Sequence, residues 1–148
     1  MSFQFTLNGV LRLRESLERS ELQQLQLIAS AVAHARDEIE TLEKEMSAAQ
    51  RRTLDAAASA GVTGAELHFE LAREAAWNIL RTELLNRLFQ LEKKQKEQQK
   101  RYFQARMQRK IVSNLYDRQF AQYKLDQSRR EQQRIDELFL IRSISRSM

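Results

Sequence analysis

No proline occurs in this chain of 148 residues, and glycine occurs at only three positions. Proline breaks the interior of a helix because it removes a backbone donor and clashes with the preceding turn, and glycine weakens a helix through its backbone entropy. Folds made of many short strands need turn residues at roughly every 8–12 positions. The sequence therefore excludes sandwiches, barrels and doubly wound sheets, and it predicts an all-α fold with long helices.

The composition suits exposed helices better than the compact core of an enzyme. Charged residues make up 30% of the chain, hydrophobic residues 42% and aromatic residues only 7%. The absence of cysteine excludes a disulfide framework, a thiolate zinc site and thiol catalysis. The formal net charge is +5, which favours an acidic partner and leaves nucleic acid, anionic lipid and an acidic protein surface open.

The sequence holds no catalytic or cofactor-binding pattern. His34 and His68 have no metal-ligand spacing, and no Lys-Ser/Thr pair follows Gly64 to make a phosphate-binding loop. The first residues lack the features of a signal peptide, and no apolar run approaches the ~20 residues of a membrane span. We therefore expect a cytoplasmic protein with no enzymatic activity, no metal and no cofactor.

One chain reversal is predicted, close to Gly61. This glycine can adopt the left-handed conformation that ends a helix, Thr63 fits as the next N-cap, and Glu66 completes a capping box. The prediction is a long antiparallel two-helix coiled coil with unequal helices and a hairpin near Gly61–Gly64. It forms a single domain over residues 1–148, with helix 1 at about 7–60, a turn at 61–63, helix 2 at about 64–142 and a short C-terminal tail.

Both helices carry an apolar seam that is typical of coiled coils, at spacings of three and four throughout in helix 1 and with one step of seven, from Ala105 to Val112, in helix 2. In helix 1 the seam consists of Leu25, Ile28, Val32, Ala35, Ile39, Leu42, Met46 and Ala49. In helix 2 it consists of Trp77, Leu80, Leu84, Leu88, Leu91, the polar Gln95 and Gln98, and then Tyr102, Ala105, Val112 and Tyr116. Polar seam positions weaken a coiled coil but fix its register.

The two helices differ in length. At ~1.5 Å per residue they measure roughly 80 Å and roughly 118 Å, so helix 2 extends past helix 1 by about 20 residues. The overshoot carries large apolar side chains that have no expected partner within the chain: Ile135, Leu138, Phe139, Leu140 and Ile141. Exposed apolar groups at this density indicate an interface.

The most basic stretch runs from Glu92 to Lys110 and contains eight basic and two acidic residues. One interpretation is a solvated helix that acidic residues of the antiparallel helix neutralise in part, namely Glu15, Glu18 and Glu21. The other is a basic helix that binds nucleic acid. The apolar seam continues on both sides of this stretch, whereas a zipper protein that binds DNA places its basic region outside the seam.

Three segments, spread over essentially the whole chain, carry a distinctive pattern. The first is Phe3-Gln-Phe-Thr-Leu7 followed by Val10-Leu-Arg-Leu-Arg-Glu15. The second is Gly61-Val-Thr-Gly-Ala-Glu-Leu67, before the second helix. The third is Leu115-Tyr-Asp-Arg118 followed by Arg129-Arg-Glu-Gln-Gln-Arg-Ile-Asp-Glu137, which is the most specific of the three. In this order, the three segments resemble flagellar FliJ proteins.

The resemblance implies a non-enzymatic component of the flagellar type III export apparatus, similar to the gamma stalk of rotary ATPases. The implied partners are the ring of the export ATPase FliI, the export gate protein FlhA and export chaperones, with no nucleic acid. The implied location is cytoplasmic, peripheral at the membrane through the export apparatus. For the ATPase ring we expect contacts from Phe3, Phe5, Leu7, Ile135, Asp136, Glu137, Leu138, Phe139 and Ile141. For the gate or a chaperone we expect Trp77, Leu80 and Arg81.

Three alternatives stay open at this point. The first is the equivalent stalk protein of a virulence-type secretion system, which shares the architecture. The second is a coiled-coil protein that binds nucleic acid through residues 92–110, for which eight phosphate contacts predict a log–log salt slope of about −7. The third is a structural dimer in which helix 2 pairs with another copy of the chain.

Overall fold

The computed structural model describes residues 2–147. It contains two α-helices that pack against each other as a helical hairpin, α1 (Asn8–Ser59) and α2 (Gly64–Ser147), and no strand in that range. The predicted all-α hairpin is confirmed. The described residues fall into two compact units: a hairpin unit, Glu21–Tyr102, and a terminal unit of the residues up to Ser20 together with those from Phe103 onwards.

The turn between the helices has the local structure that the sequence predicts. Gly61 has a φ of 77°, in the left-handed region that disfavours any side chain. The Glu66 backbone N–H donates to Thr63 Oγ1 at 3.2 Å, and the Thr63 N–H donates to Glu66 Oε2 at 3.5 Å. This reciprocal capping box begins α2 and supplies partners for two otherwise unsatisfied donors at its end.

The core of the hairpin unit lies along the predicted seam. Its buried apolar residues all come from helix 1 seam positions: Val32, Ala35, Ile39, Leu42 and Ala49. The facing seam residues of α2, such as Leu84, Leu88 and Leu91, are half-buried. Cross-helix pairs fix the antiparallel register, with Arg36 Nη2 2.9 Å from Glu92 Oε1 and Arg81 Nε 3.1 Å from Glu43 Oε1.

Gln98 shows how a polar seam position fixes that register. It is buried, with 7% of its surface exposed. Its amide Nε2 donates to the Glu21 backbone carbonyl at 3.1 Å and also to the Glu21 carboxylate. A buried amide without partners costs about 1–3 kcal/mol, so any shift of the helices that separates Gln98 from Glu21 is disfavoured.

The core of the terminal unit is aromatic. Phe5 and Val112 are buried, and the residues before α1 place two phenyl rings against α2. Phe3 lies 5.5 Å from Tyr116, 5.2 Å from Phe120 and 5.3 Å from Tyr123, measured between ring centroids. Phe5 meets Tyr116 edge-on at 5.2 Å. We call Phe3, Phe5, Tyr116, Phe120 and Tyr123 the aromatic cluster.

The second helix continues beyond its predicted end at about residue 142. Residues 143–147, which the sequence interpretation assigned to a short tail, belong to α2. Neither glycine nor proline occurs there, so nothing in the local sequence ends the helix. The Ser147 hydroxyl donates back to the Ile144 carbonyl at 2.9 Å, within the last turn.

Candidate partner-binding surfaces

The last part of α2 is exposed along its whole length. Asp126 is half-buried, and every residue from 127 to 147 is exposed; we call residues 127–147 the C-terminal segment. The expected overshoot of about 20 residues is therefore present in the structure. Six large apolar side chains in the segment are between 54% and 71% exposed: Ile135, Leu138, Phe139, Leu140, Ile141 and Ile144.

These six side chains surround the helix. Each residue turns the helix by about 100°. Viewed down the helix axis, the six side chains therefore leave no gap wider than about 100° between neighbouring directions. A helix that packs against one neighbour has its apolar residues on one face, whereas a helix that is apolar all round is normally buried on all sides. The C-terminal segment therefore has the apolar pattern of an enclosed helix and the exposure of an uncovered one.

Charged side chains are interspersed among the apolar residues of the C-terminal segment. It has five arginines and three acidic residues, a net charge of +2: Arg129, Arg130, Arg134, Arg142 and Arg146 against Glu131, Asp136 and Glu137. The Gln132 amide donates to Asp136 Oδ1 at 3.2 Å, within the same helix. Arginines beside exposed apolar groups can orient an approaching acidic partner before the apolar contacts form.

Two of the three N-terminal residues that the sequence interpretation assigned to the ATPase ring pack inside the terminal unit. Phe5 is buried, and Phe3 is half-buried in the aromatic cluster. Leu7 is 37% exposed at the start of α1. Because the two phenyl rings already pack inside the terminal unit, we leave them out of the surface proposed below. Their role in the fold depends on a contact that spans more than 100 residues of sequence, and local patterns do not reveal such contacts.

The expected contacts of the gate or a chaperone differ in how accessible they are to a partner. They are Trp77, Leu80 and Arg81. Trp77 is half-buried, and the Arg73 guanidinium lies 4.9 Å from the centroid of its ring. The Arg81 side chain is paired with Glu43. Leu80 is 43% exposed and lines a surface hollow with Leu42 and Leu84. Leu80 is thus the one of the three that offers an open apolar contact.

The sequence interpretation missed a second groove, next to the turn. Leu54, Leu67, Leu71 and Trp77 line it, and its volume is about 240 Å³. Arg73 contributes to its wall, pairs with Glu70, and has its Nε buried without a hydrogen-bond partner. The signal in the sequence is the spacing of four residues from Phe69 to Arg73 to Trp77, which stacks the guanidinium between two aromatic rings.

Within the basic stretch, one arginine forms an ion pair with an acidic residue of α1. Arg109 Nε lies 2.6 Å from Glu18 Oε2, and both side chains are largely covered. The hydrogen bond from Arg109 lowers the pKa of Glu18; burial opposes the shift, and the charges of Arg109, Arg106 and Lys110 add to it. Glu18 therefore behaves as predicted for a solvated helix with a partner, and Glu21 bonds to Gln98 instead of to a basic residue.

Residues 2–147 contain no candidate metal site. Among residues 2–147, no three histidine, aspartate or glutamate side chains lie together in a way that could hold a metal ion. His34 contacts Glu38 at 2.8 Å on the surface of α1. Neither of the two described helices has a stretch long and apolar enough to cross a membrane.

Comparison with known proteins agrees with the resemblance seen in the sequence. The family model described as "Flagellar FliJ protein" matches residues 3–148, essentially the whole chain. No curated protein and no solved structure matches the sequence. The resemblance noted at three separate segments of the sequence is thereby confirmed over its full extent. The chain belongs to the FliJ family and is a protein associated with flagellar type III export.

Proposed function

We propose that this protein is the central stalk and activator of the flagellar export ATPase ring, and that it escorts export chaperones. The observation that carries the proposal is the C-terminal segment, whose exposed apolar side chains are distributed around its whole circumference. Leaving the apolar surface of such a helix in water costs about 25 cal/mol for each Å² relative to burying that surface. A partner that encloses it removes that cost.

The pore of a protein ring fits this requirement better than a flat surface. A flat partner covers one face of a helix and leaves the opposite apolar residues in water, whereas a ring contacts all faces at once. Ile135 and Phe139 lie on one side of the segment, and Ile141 and Ile144 lie on the opposite side. The residues proposed to contact the ring are Ile135, Asp136, Glu137, Leu138, Phe139 and Ile141, together with Leu140 and Ile144.

Contacts with the export gate or with chaperones are proposed for the hairpin unit. Leu80 and Leu84 line a hollow on its surface together with Asp37, Glu38 and Glu45. An apolar floor with an acidic edge suits a helix that has an apolar stripe and basic flanks. Trp77 and Arg81 lie close to Leu80 in the sequence of α2, where they contact Arg73 and Glu43.

The match to the flagellar family favours the flagellar export system over its virulence counterpart. FliJ proteins are known as non-catalytic components of the export system, and we propose the same for this chain. We place it at the cytoplasmic face of the cell membrane, as a peripheral component of the export apparatus.

The test is a pair of substitutions in the C-terminal segment. Leu138→Asp with Ile141→Asp puts two charges where the ring is expected to make apolar contact, and a carboxylate buried without a partner is strongly disfavoured. We expect the double variant to keep its helical content and to lose stimulation of the purified export ATPase. Removal of residues 130–148 should have the same effect. In cells, secretion of flagellar subunits should fall.

The control is Gln127→Asp with Ser128→Asp, which makes the same change in charge at exposed positions ahead of the residues proposed to contact the ring. It should stimulate the ATPase as the original chain does. Full stimulation by the Leu138/Ile141 variant would show that the ring is contacted elsewhere, with Leu7 and the start of α1 as the next region to examine. Unfolding of the truncated chain would show that the segment belongs to the core.

A further inference from the structure

Part of the basic stretch has no acidic counterpart in the fold. Five exposed basic residues of this stretch lie in the hairpin unit, and we call them the basic face: Lys93, Lys94, Lys96, Lys100 and Arg101. The side chain of none of them forms an ion pair with a residue in the range 2–147. Glu97 is the one acidic residue among them, so the net charge over residues 93–101 is +4, five basic minus one acidic.

The opposing stretch of α1 explains why the charge is uncompensated. Contacts of Glu21 with Gln98 and of Arg36 with Glu92 place residues 22–35 of α1 alongside this part of α2. That stretch contains no aspartate, glutamate, lysine or arginine. In the terminal unit, by contrast, Arg109 has Glu18 as a partner. The expected neutralisation by α1 therefore does not extend to the basic face.

Exposed apolar side chains adjoin the same face. Phe89 is 64% exposed and Leu85 is 40% exposed. Phe89 precedes Lys93 by four residues and Lys96 by seven, so the three share one face of the helix. The seam residues Leu88, Leu91 and Gln98 point to the other side, towards α1. Phe89 and Leu85 are thus available to a partner that binds the lysines.

We propose that the basic face binds directly to the surface of a membrane that contains anionic lipids. Five cations on one face of a helix fall within the range of about 4–8 that is typical of sites for anionic headgroups. They spread over about 160° of the helix circumference, which suits a plane of charges. Phe89 and Leu85 lie at the edge of the face, where apolar groups enter the interface between headgroups and acyl chains.

Duplex DNA fits these features less well. A helix that reads DNA enters a major groove about 12 Å wide, and α2 is paired with α1 along the whole basic face. Four of the five cations are lysines, which act as point charges and do not form the bidentate pairs that arginine makes with guanine. Exposed phenylalanine and leucine side chains gain nothing from phosphate contacts.

The test measures sedimentation of the full-length protein with vesicles. We expect binding to vesicles of phosphatidylcholine mixed with phosphatidylglycerol, weakening as salt is raised, and little binding to phosphatidylcholine alone. Each basic residue contributes about fivefold to binding near an anionic surface, so Lys93→Glu with Lys100→Glu should lower the apparent affinity by about 25-fold or more. Phe89→Ala should lower it severalfold and leave the dependence on salt in place.

The matched control is Arg51→Glu with Arg52→Glu, which changes the net charge by the same amount on exposed residues of α1. This variant should bind vesicles nearly as well as the original chain. Equal binding by the Lys93/Lys100 variant, or equal binding to neutral vesicles, would overturn the proposal. So would tighter binding to a random DNA duplex than to anionic vesicles, with loss of that binding in the Lys93/Lys100 variant.

Discussion

Two consecutive stretches of α2 in the terminal unit carry apolar side chains in different arrangements. In residues 112–126, Val112, Tyr116, Phe120 and Tyr123 recur at spacings of three and four on one face, whereas Leu115 and Leu125 lie outside that face and are exposed. Phe3 and Phe5 cover that face, and each of the four is buried or half-buried. In the C-terminal segment, the apolar residues lie all round the helix and nothing in the range 2–147 covers them.

The comparison shows that the angular distribution of apolar residues, and not their number, distinguishes a stretch covered within the chain from an exposed one. A one-sided stripe can be covered by a single element of the same chain, here residues 2–7. An all-round distribution needs several elements arranged about the helix, and a two-helix hairpin has only one other helix to offer. The chain therefore covers the first stretch internally and leaves the second exposed.

The largest expected effect is the loss of the aromatic cluster. Phe5→Ala removes a buried ring and its edge-on contact with Tyr116, which should lower the local free energy of unfolding by about 2–3 kcal/mol. Amide hydrogen exchange of residues 112–123 is the measurement, since the loss is confined to the terminal unit. Unchanged protection there would mean that α2 does not depend on the N-terminal residues for its packing.

A smaller effect is expected at the ion pair of Glu18 with Arg109. Glu18→Gln should destabilise the protein by about 1 kcal/mol or less at neutral pH, because the pair is partly screened by solvent. The pKa of Glu18 is lowered in the folded state, so the pair stabilises the protein fully above the ordinary pKa range of glutamate. The stabilisation is lost as the pH falls through the lowered pKa.

The difference between the Glu18→Gln variant and the original chain should therefore shrink as the pH falls, when unfolding is followed in urea at several pH values. Asp136→Asn in the C-terminal segment is the counterpart, because Asp136 bonds only to Gln132 of its own helix. Its effect on stability should be within a few tenths of a kcal/mol. A difference for Glu18→Gln that stays constant with pH would show that the carboxylate charge is not what stabilises the pair.

The smallest effect on stability is expected at the most exposed apolar residue of the C-terminal segment. Phe139 is 71% exposed, so Phe139→Ala should change the melting temperature hardly at all, with a free energy of unfolding within about 0.5 kcal/mol of the original. Phe5→Ala and Phe139→Ala thus make the same substitution at a buried and at an exposed position of the terminal unit. A loss at Phe139 as large as that at Phe5 would show that the segment is covered in solution.

Much of the hairpin unit follows from the sequence because its interactions are local or periodic. The left-handed Gly61 and the capping box of Thr63 with Glu66 involve residues within five positions of one another. The seam follows from spacings of three and four, and the structure buries Val32, Ala35 and Ile39 as that pattern predicts. The overshoot follows from helix lengths alone.

Other features depended on which distant residues come together. The resemblance assigned Phe3 and Phe5 to the contact with the ATPase ring, whereas in the structure they pack into the core of the terminal unit because the segment before α1 lies along α2. One interpretation of the sequence had acidic residues of α1 neutralise the basic stretch in part. Only the antiparallel register reveals that residues 22–35, which carry no Asp, Glu, Lys or Arg, face residues 93–101. In both cases the outcome is set by contacts across long sequence separations.

The sequence by itself determined that this protein is a long helical hairpin with a reversal at Gly61 and an apolar end, because helix periodicity, caps and the absence of proline act over a few residues. Only the tertiary structure decided which apolar and charged groups are satisfied within the chain. Burial and ion pairing belong to pairs of surfaces. The segment before α1 packs Phe5 against α2, and the pairing of α1 with α2 gives Arg109 a partner but leaves Lys93 and Phe139 exposed.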